Sequence, residues 1–197
     1  MFQISTSAIS NKIYYVEHHR SHIAASFFAS SFEDSAILSI DGFGDFTSTM
    51  TAVGYKNSFK VLNQVNYPHS LGIFYTAATQ FLGFPNFGDE YKVMGLAPYG
   101  EAKYLNELSK IIELTHNGFF KLQKKYFRHF EKGVAMDWRG GSPKIDLLFT
   151  MAWEDLFWEA RQKGERLEKR HFDLAASVQR FTEMSIIHML NHLQRKT

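Results

Sequence analysis

One short apolar run constrains the fold of this chain more than any other feature. Residues 35–41 read Ser-Ala-Ile-Leu-Ser-Ile-Asp, and the turn-forming residues Gly-Phe-Gly-Asp follow directly, up to Asp45. A compact apolar run bounded by turn residues is typical of a strand that is buried on both faces. We therefore predict an α/β fold in which residues 35–41 form a buried strand and Asp41–Asp45 forms the turn after it.

Hydrophobic periodicity predicts the remaining elements of the first hundred residues and of the C-terminus. Further strands are predicted at residues 13–17, 47–55 and 60–67, the last two as a hairpin. Helices are predicted at residues 20–32, 70–83, 89–96 and 173–195. The final helix is apolar on several faces beyond Phe181, so we expect it to be covered on more than one side. Residues 101–170 show no clear pattern.

Composition excludes several classes of protein. Hydrophobic residues make up 45% and charged residues 21% of the 197 residues, as in a globular protein. The net charge of +2 is too balanced to indicate a nucleic acid or an acidic membrane as partner. The chain has no cysteine, no signal-peptide pattern and no apolar stretch of membrane-spanning length. We expect a cytoplasmic protein that binds neither nucleic acid nor membrane.

Two histidine pairs have the spacing of a helical metal site. His18 and His22 are four residues apart, so both imidazoles would lie on one helix face, within reach of one cation. The same spacing recurs at His188 and His192, which we interpret as structural because they sit in an apolar helix without an acidic partner. His19 lies off the paired face and could support the site or contact substrate.

Asp41 could complete a metal site with the first pair. It follows the buried strand, and ligands of α/β sheets gather beyond the carboxyl ends of strands. Two histidines and one carboxylate leave open positions and suit iron, or alternatively zinc or manganese. Gly42 and Gly44 would let the backbone approach a phosphate closely. The alternative is a simple Asp-Gly turn.

A third group of residues could bind a nucleotide. Ser70 and Gly72 begin a predicted helix, where free amides could hold an anion. Glu90 and Lys92 flank a loop and could contact a ribose or a phosphate. From the residues alone, a core helix and a surface charge pair are the preferred explanation.

Together these segments resemble the O-carbamoyltransferases of the nodulation and tobramycin type. The shared motifs are His-His-x-x-His-x-x-Ser, Asp-Gly-x-Gly, Ser-Leu-Gly-x-x-Tyr, Leu-Gly-Phe and one ungapped run of eleven residues. They correspond here to residues 18–25, Asp41–Gly44, Ser70–Tyr75, Leu82–Phe84 and Glu90–Gly100. This sequence departs from the first motif at Ala25, another small residue. The resemblance is strong over residues 13–100, weak over 101–170, and faint again near Asp173.

The resemblance implies an actin-like ATPase (RNase H-like) fold, present in part, with a mixed sheet and flanking helices. It implies transfer of a carbamoyl group from carbamoyl-adenylate, made from carbamoyl phosphate and ATP, to a hydroxyl-bearing small molecule. By the same match His18, His22 and Asp41 would bind iron, or alternatively zinc or manganese. Gly42, Gly44, Ser70, Gly72, Glu90 and Lys92 would contact the nucleotide.

We interpret residues 1–197 as one partial domain of the N-terminal carbamoyltransferase type. Its expected parts are a site-bearing core (1–100), a variable insertion-like region (101–170) and a closing helix (171–197). The family's opening phosphate-binding strand, its Gly-Gly-x-x-x-Asn region and its YrdC-like domain are missing, so we expect no activity from the isolated chain. The alternatives are a non-catalytic metal- or nucleotide-binding remnant that forms homo-oligomers, and a metal-dependent hydrolase.

Overall fold

Three antiparallel strands form the centre of the N-terminal half. The structure, a computed structural model, describes residue 10, residues 12–139 and residues 142–197. Residues 1–9 and 11 of the predicted core and residues 140–141 of the predicted insertion lie outside the described residues. The strands are β1 (Asp34–Gly44), β2 (Thr47–Tyr55) and β3 (Ser58–Asn66), paired in the order β1-β2-β3.

Six helices and two small hairpins complete the described part of the mixed α/β fold. The helices are α1 (His18–Phe28), α2 (Leu71–Phe81), α3 (Glu90–Leu96), α4 (Leu105–Ile111), α5 (His129–Lys132) and α6 (Lys169–Gln194). The hairpins pair β4 (Ile112–Leu114) with β5 (Phe120–Leu122), and β6 (Met136–Arg139) with β7 (Ser142–Ile145). Three short 3-10 turns span Ala97–Tyr99, Lys124–Tyr126 and Met151–Trp153. No helix among the described residues is long and apolar enough to cross a membrane.

The two faces of the sheet bury two separate sets of apolar side chains. Successive residues of a strand point to opposite faces, and Ile37 and Leu38 of β1 accordingly join different clusters. On one face Ile23 and Phe27 of α1 pack beneath the sheet, and Phe27 lies where a side chain on Gly54 would be, 2.5 Å from an added Cβ. On the other face α2 is the centre of the larger core, together with α6.

The predicted turn after the first strand is a bulge within it. β1 continues through Gly44, and its register with β2 shifts between Ile40 and Gly44, because four steps along β1 match two along β2. A bulge of this kind bends a strand and redirects its side chains. The chain reverses at Asp45, which has the positive φ of 55° typical of a tight turn.

Several predicted elements are confirmed and two are corrected. Residues 47–55 form β2 with the predicted bounds, and the β2–β3 hairpin turns at Lys56. The strand predicted at residues 13–17 is wrong, because this mostly exposed segment pairs with no strand in the described part of the chain. A mixed sheet was also expected, whereas the three central strands pair only antiparallel in the described part. The final helix is covered in part: α6 contacts α3, α4 and α2, whereas Ile187 and Leu190 are 54% and 40% exposed.

Candidate functional site

Three potential metal ligands converge where α1 meets the bulge of β1. Nε2 of His18 lies 2.8 Å from Oδ2 of Asp41 and 2.9 Å from Nε2 of His22. Nε2 of His22 lies 3.5 Å from the same carboxylate oxygen. No other group of three or more such side chains is found in residues 12–139 and 142–197. The structure therefore brings together the three side chains that the sequence singled out.

Hydrogen bonds among these three side chains cannot all have good geometry. Nε2 of an imidazole carries either one N–H or one lone pair in the ring plane. At best the N–H of His18 is shared between Asp41 and His22, which gives two bent bonds instead of two linear ones. All three side chains are partly open to solvent, with 40%, 54% and 42% of the side chain exposed for His18, His22 and Asp41. The cluster is thus accessible to solvent. It has more hydrogen-bond acceptors than N–H groups that can donate to them.

Local structure explains why the His18 ring lies at this position. Gly44 leaves space for the ring, because a Cβ on Gly44 would stand 1.9 Å from Cδ2 of His18. Oδ2 of Asp45 accepts a hydrogen bond of 3.1 Å from the backbone N–H of His18 and so holds the first turn of α1. The motif Asp41–Asp45 therefore supplies a ligand, the space for a second ligand, and an anchor for the helix that carries both histidines.

The carboxylate of Asp41 is held in its charged form. Burial raises the pKa of Asp41, but the hydrogen bonds from His18 and from the Gly42 N–H, together with both imidazoles, outweigh this effect. The pKa of Asp41 therefore lies below its ordinary value. Oδ1 accepts the 2.6 Å hydrogen bond from Gly42, which leaves Oδ2 facing the histidines. The cluster contains an anionic oxygen at neutral pH.

His19 supports the cluster from below and cannot contact substrate, because it is fully buried. Its Nε2 donates to the Thr47 carbonyl at 2.9 Å, and its Nδ1 lies 2.8 Å from Oγ of Ser39. Since the carbonyl can only accept, Nδ1 of the neutral ring accepts from Ser39. Burial lowers the pKa of His19 and so favours this neutral form. The ring ties α1 to both β1 and β2.

A cavity of about 380 Å³ adjoins the cluster. Asp41 and Gly42 form one wall, and Gly72 and Glu90 are among the other lining residues. Most of the remaining lining is apolar and comes from β1, α2, the loop before α3, α3 and α6, namely Ile40, Leu71, Tyr75, Phe87, Met94 and Ile186. This volume and this mixture of apolar walls with a few polar groups are typical of small-molecule sites.

The other predicted nucleotide contacts have structural partners. Ser70 is fully buried, caps α2 through Ile73, and donates to the Gly42 carbonyl at 2.6 Å. Gly44 lies under the His18 ring. Lys92 does not line the cavity, and its ammonium pairs with Asp89 at 2.7 Å.

Glu90 has a partner that the sequence did not indicate. Its Oε1 accepts a 2.6 Å hydrogen bond from Thr76 of α2, which fixes the carboxylate at the cavity. Thr182 and Ile186 of α6 also reach this wall. The surplus apolar faces of the last helix were the one signal in the sequence for the contribution of Ile186.

Comparison with known proteins places the chain in a family. The model of the carbamoyltransferase N-terminus matches residues 5–197. The chain is similar to the nodulation protein NolNO of Sinorhizobium fredii, at 36% identity over 191 residues that cover 96% of this chain and 25% of the relative. It is similar to the nodulation protein NolO of Bradyrhizobium diazoefficiens, at 32% identity over 92% of this chain and 29% of that protein. An uncharacterized protein of Synechocystis is 37% identical over 89% of this chain and 27% of its own length.

The fold, the clustered motif residues and these matches define an N-terminal carbamoyltransferase domain as the class of protein. The chain belongs to the carbamoyltransferase N-terminus family. It spans little more than a quarter of the length of the relatives it matches.

Proposed function

We propose that this chain supplies the metal- and nucleotide-holding part of an enzyme that transfers a carbamoyl group from carbamoyl-adenylate to the hydroxyl of a small molecule. One observation carries the proposal: Asp41 belongs both to the three-ligand cluster and to the wall of the 380 Å³ cavity. A cation and a phosphate-bearing ligand would therefore be neighbours. A YrdC-like domain or subunit would make the adenylate from carbamoyl phosphate and ATP.

The donor set fits a cation. Ligands bound at ~2.1 Å around one ion stand about 3 Å from one another, and the three donor–donor distances here are 2.8, 2.9 and 3.5 Å. Two neutral imidazoles and one carboxylate suit iron, and zinc or manganese accept the same donors. When bound, the cation would act as a Lewis acid toward the phosphate oxygens.

The cavity fits a nucleotide beside that cation. Its apolar walls would accept a base, and Gly42, where an added Cβ would meet nothing within 4 Å, offers open backbone where phosphate oxygens would lie. Gly72 lets α2 approach this backbone, because a Cβ there would stand 2.8 Å from Gly42. The carboxylate of Glu90, oriented by Thr76, would accept hydrogen bonds from ribose hydroxyls. Asp41 by itself would repel a phosphate, so the charge of this wall favours a nucleotide only together with a cation.

The residues of this chain would then hold the adenylate while the acceptor reacts. In the transfer the acceptor oxygen forms a bond to the carbamoyl carbon, the bond from that carbon to the phosphate oxygen breaks, AMP leaves with the electron pair of that bond, and the hydroxyl proton passes to solvent. Positioning of this kind lowers the barrier by fixing the reacting atoms near one another. His18, His22 and Asp41 would hold the cation, and Gly42, Gly72 and Glu90 would orient the leaving nucleotide.

Metal analysis tests the first half of the proposal. The chain is purified without chelators, loaded with iron, zinc or manganese, and analysed by elemental analysis beside His18→Ala/His22→Ala. We expect about one ion per chain, lost in the double variant and retained in His116→Ala, which removes an exposed histidine elsewhere. A folded wild-type chain that retains none of the three metals would contradict the proposal.

Calorimetry with AMP tests the second half. We expect AMP to bind the metal-loaded chain and Glu90→Gln to weaken binding about tenfold, as for one lost charge-assisted hydrogen bond. Glu113→Gln, an exposed carboxylate on β4, is the matched control. Metal-dependent hydrolysis of a simple phosphate ester without AMP binding would instead favour the hydrolase hypothesis.

A further inference from the structure

A second cavity lies at the opposite end of α2 from the Asp41 cluster. It measures about 330 Å³ and is lined by residues near the C-terminal end of α2, by β7 and the chain after it, and by the segment 160–163. Along α2 the first cavity is lined by residues from Leu71 to Thr76 and the second by Gln80, so about 6 Å of helix separates the two linings. None of the residues assigned to the metal or nucleotide lines this second cavity.

The second cavity contains a buried cation with no acidic partner. Arg161 is only 9% exposed. Its Nη1 donates to the Leu82 carbonyl at 2.8 Å, and its Nε (3.1 Å) and Nη2 both donate to the Glu165 carbonyl. A guanidinium has five N–H groups, so three bonds leave two donors over. Both acceptors are neutral carbonyls.

The nearby carboxylates are bound to other groups. Oε1 of Glu154 accepts from the backbone N–H of Ala160 at 3.0 Å, and Oε2 of Glu165 accepts from that of Gln162 at 2.9 Å. Within the described ranges no carboxylate lies at ion-pair distance from Arg161 or from Lys163, the second cation of the lining. A desolvated charge without a counter-charge is costly.

Two features offset part of this cost. The ring of Phe84 lies 5.2 Å from the guanidinium carbon, and the C-terminal end of α2 presents partially negative carbonyls. Together these features explain why Arg161 binds at the C-terminal end of α2. Neither feature supplies a negative charge near Lys163. Neither fills the cavity that Arg161, Lys163 and the apolar side chains line.

The chemistry of the lining defines a ligand. Two free guanidinium donors match the two oxygens of a planar carboxylate. The rest of the cavity offers apolar surface from Pro85, Ile145, Leu147 and Phe149. We propose that this cavity is a binding site for a small monocarboxylate with an apolar body, its carboxylate on Arg161 and Lys163 and its apolar part against these four side chains.

Titration calorimetry with three probes tests the proposal on the full 197-residue chain. The probes are hexanoate, which has both required parts, inorganic phosphate, which lacks the apolar part, and 1-hexanol, which lacks the charge. We expect hexanoate to bind with a dissociation constant of about 1 mM or lower, and each other probe to bind at least about tenfold more weakly. Equal binding of hexanol, or no binding of hexanoate by the folded chain, would overturn the proposal.

Leu147→Glu places a carboxylate in the cavity as an internal counter-ion. Leu147 is 41% exposed, so the substitution is compatible with folding, and we expect it to weaken hexanoate binding at least about tenfold. Leu190→Glu is the matched control, because Leu190 is 40% exposed on α6 outside this cavity. Hexanoate affinity that is the same in both variants would show that Arg161 has a structural role only.

Discussion

The two histidine pairs of this chain have the same spacing and opposite surroundings. His18 and His22 converge on Asp41 at a partly exposed surface. His188, by contrast, donates from Nε2 to the Thr115 carbonyl at 2.9 Å, and His192 packs over Gly118, where an added Cβ would stand 2.1 Å from its ring. The difference teaches that helical spacing alone does not make a potential metal site, which also needs a second element that brings a carboxylate to the same face.

Among the differences between the two histidine pairs, we expect the carboxylate of Asp41 to have the largest effect on metal binding. We expect Asp41→Asn to weaken metal binding at least about a hundredfold, because loss of even an outer partner of a ligand costs about 10–100-fold. Competition with a chelating dye measures the affinity. Asp34→Asn, at the exposed start of the same strand, is the control and should leave the affinity unchanged. Equal affinities in the two variants would remove Asp41 from the site.

The space beside the His18 ring can be filled without a substitution at any of the three potential ligands. We expect Gly44→Ala to displace the His18 ring, to weaken metal binding about tenfold, and to lower the free energy of unfolding by about 1–3 kcal/mol, as overpacking does. Gly95→Ala in α3 meets nothing within 4 Å and should stabilise by about 0.5–1 kcal/mol. Metal titration and urea unfolding measure both effects, and an unaltered metal affinity in Gly44→Ala would contradict the geometry of the cluster.

Substitutions in the two histidine pairs should affect the free energy of unfolding in the opposite order, with the larger loss at His188. We expect His188→Ala to cost about 1 kcal/mol, because it removes the hydrogen bond to Thr115, and to leave metal content unchanged. His22→Ala removes an exposed side chain and should change the free energy of unfolding by less than about 0.5 kcal/mol while it reduces metal binding. Urea unfolding of both variants decides this, and a larger loss of stability in His22→Ala would reverse the interpretation.

The smallest expected effect is a pH dependence from buried histidines outside the cluster. Burial lowers the pKa of His129 below the ordinary 6.5, although the hydrogen bond to the Pro68 carbonyl opposes this. The unfolded chain therefore binds more protons than the folded chain, and the free energy of unfolding falls as the pH drops below about 6.5. We expect His129→Gln to reduce this slope, which urea unfolding at pH 7.5 and 5.5 measures. An unchanged slope would mean that the pKa of His129 is the same in the folded and the unfolded chain.

Local pattern predicted the elements that depend on neighbours in sequence. The β2–β3 hairpin follows from two alternating runs and a short polar turn, and Ser70 ends up as the cap of α2 because a serine before an apolar helix is a start signal. Residues 13–17 have a similar apolar pattern, but no strand pairs with them in the described part, so the prediction failed for a reason outside the segment.

The potential ligands of the candidate site were predictable from the sequence, and the contacts that support them were not. Motif resemblance located His18, His22 and Asp41, whereas the bulge that turns Asp41 toward the histidines depends on pairing with β2. Thr76 as partner of Glu90 depends on how α2 packs against α3. The strands of residues 101–170 have only three or four residues, which is too short for a period to be visible.

Asp41 belongs to the histidine cluster and to the wall of the adjoining cavity, and this has a thermodynamic consequence. One of its oxygens faces the histidines, the other fixes the Gly42 amide, and the residue also forms the wall of the larger cavity. Two ligands that share one charged group change each other's binding constants by the same factor in both directions. A cation that raises the affinity for an anion in the cavity is itself held more tightly once that anion is present, so neither binding constant is a fixed property of this chain.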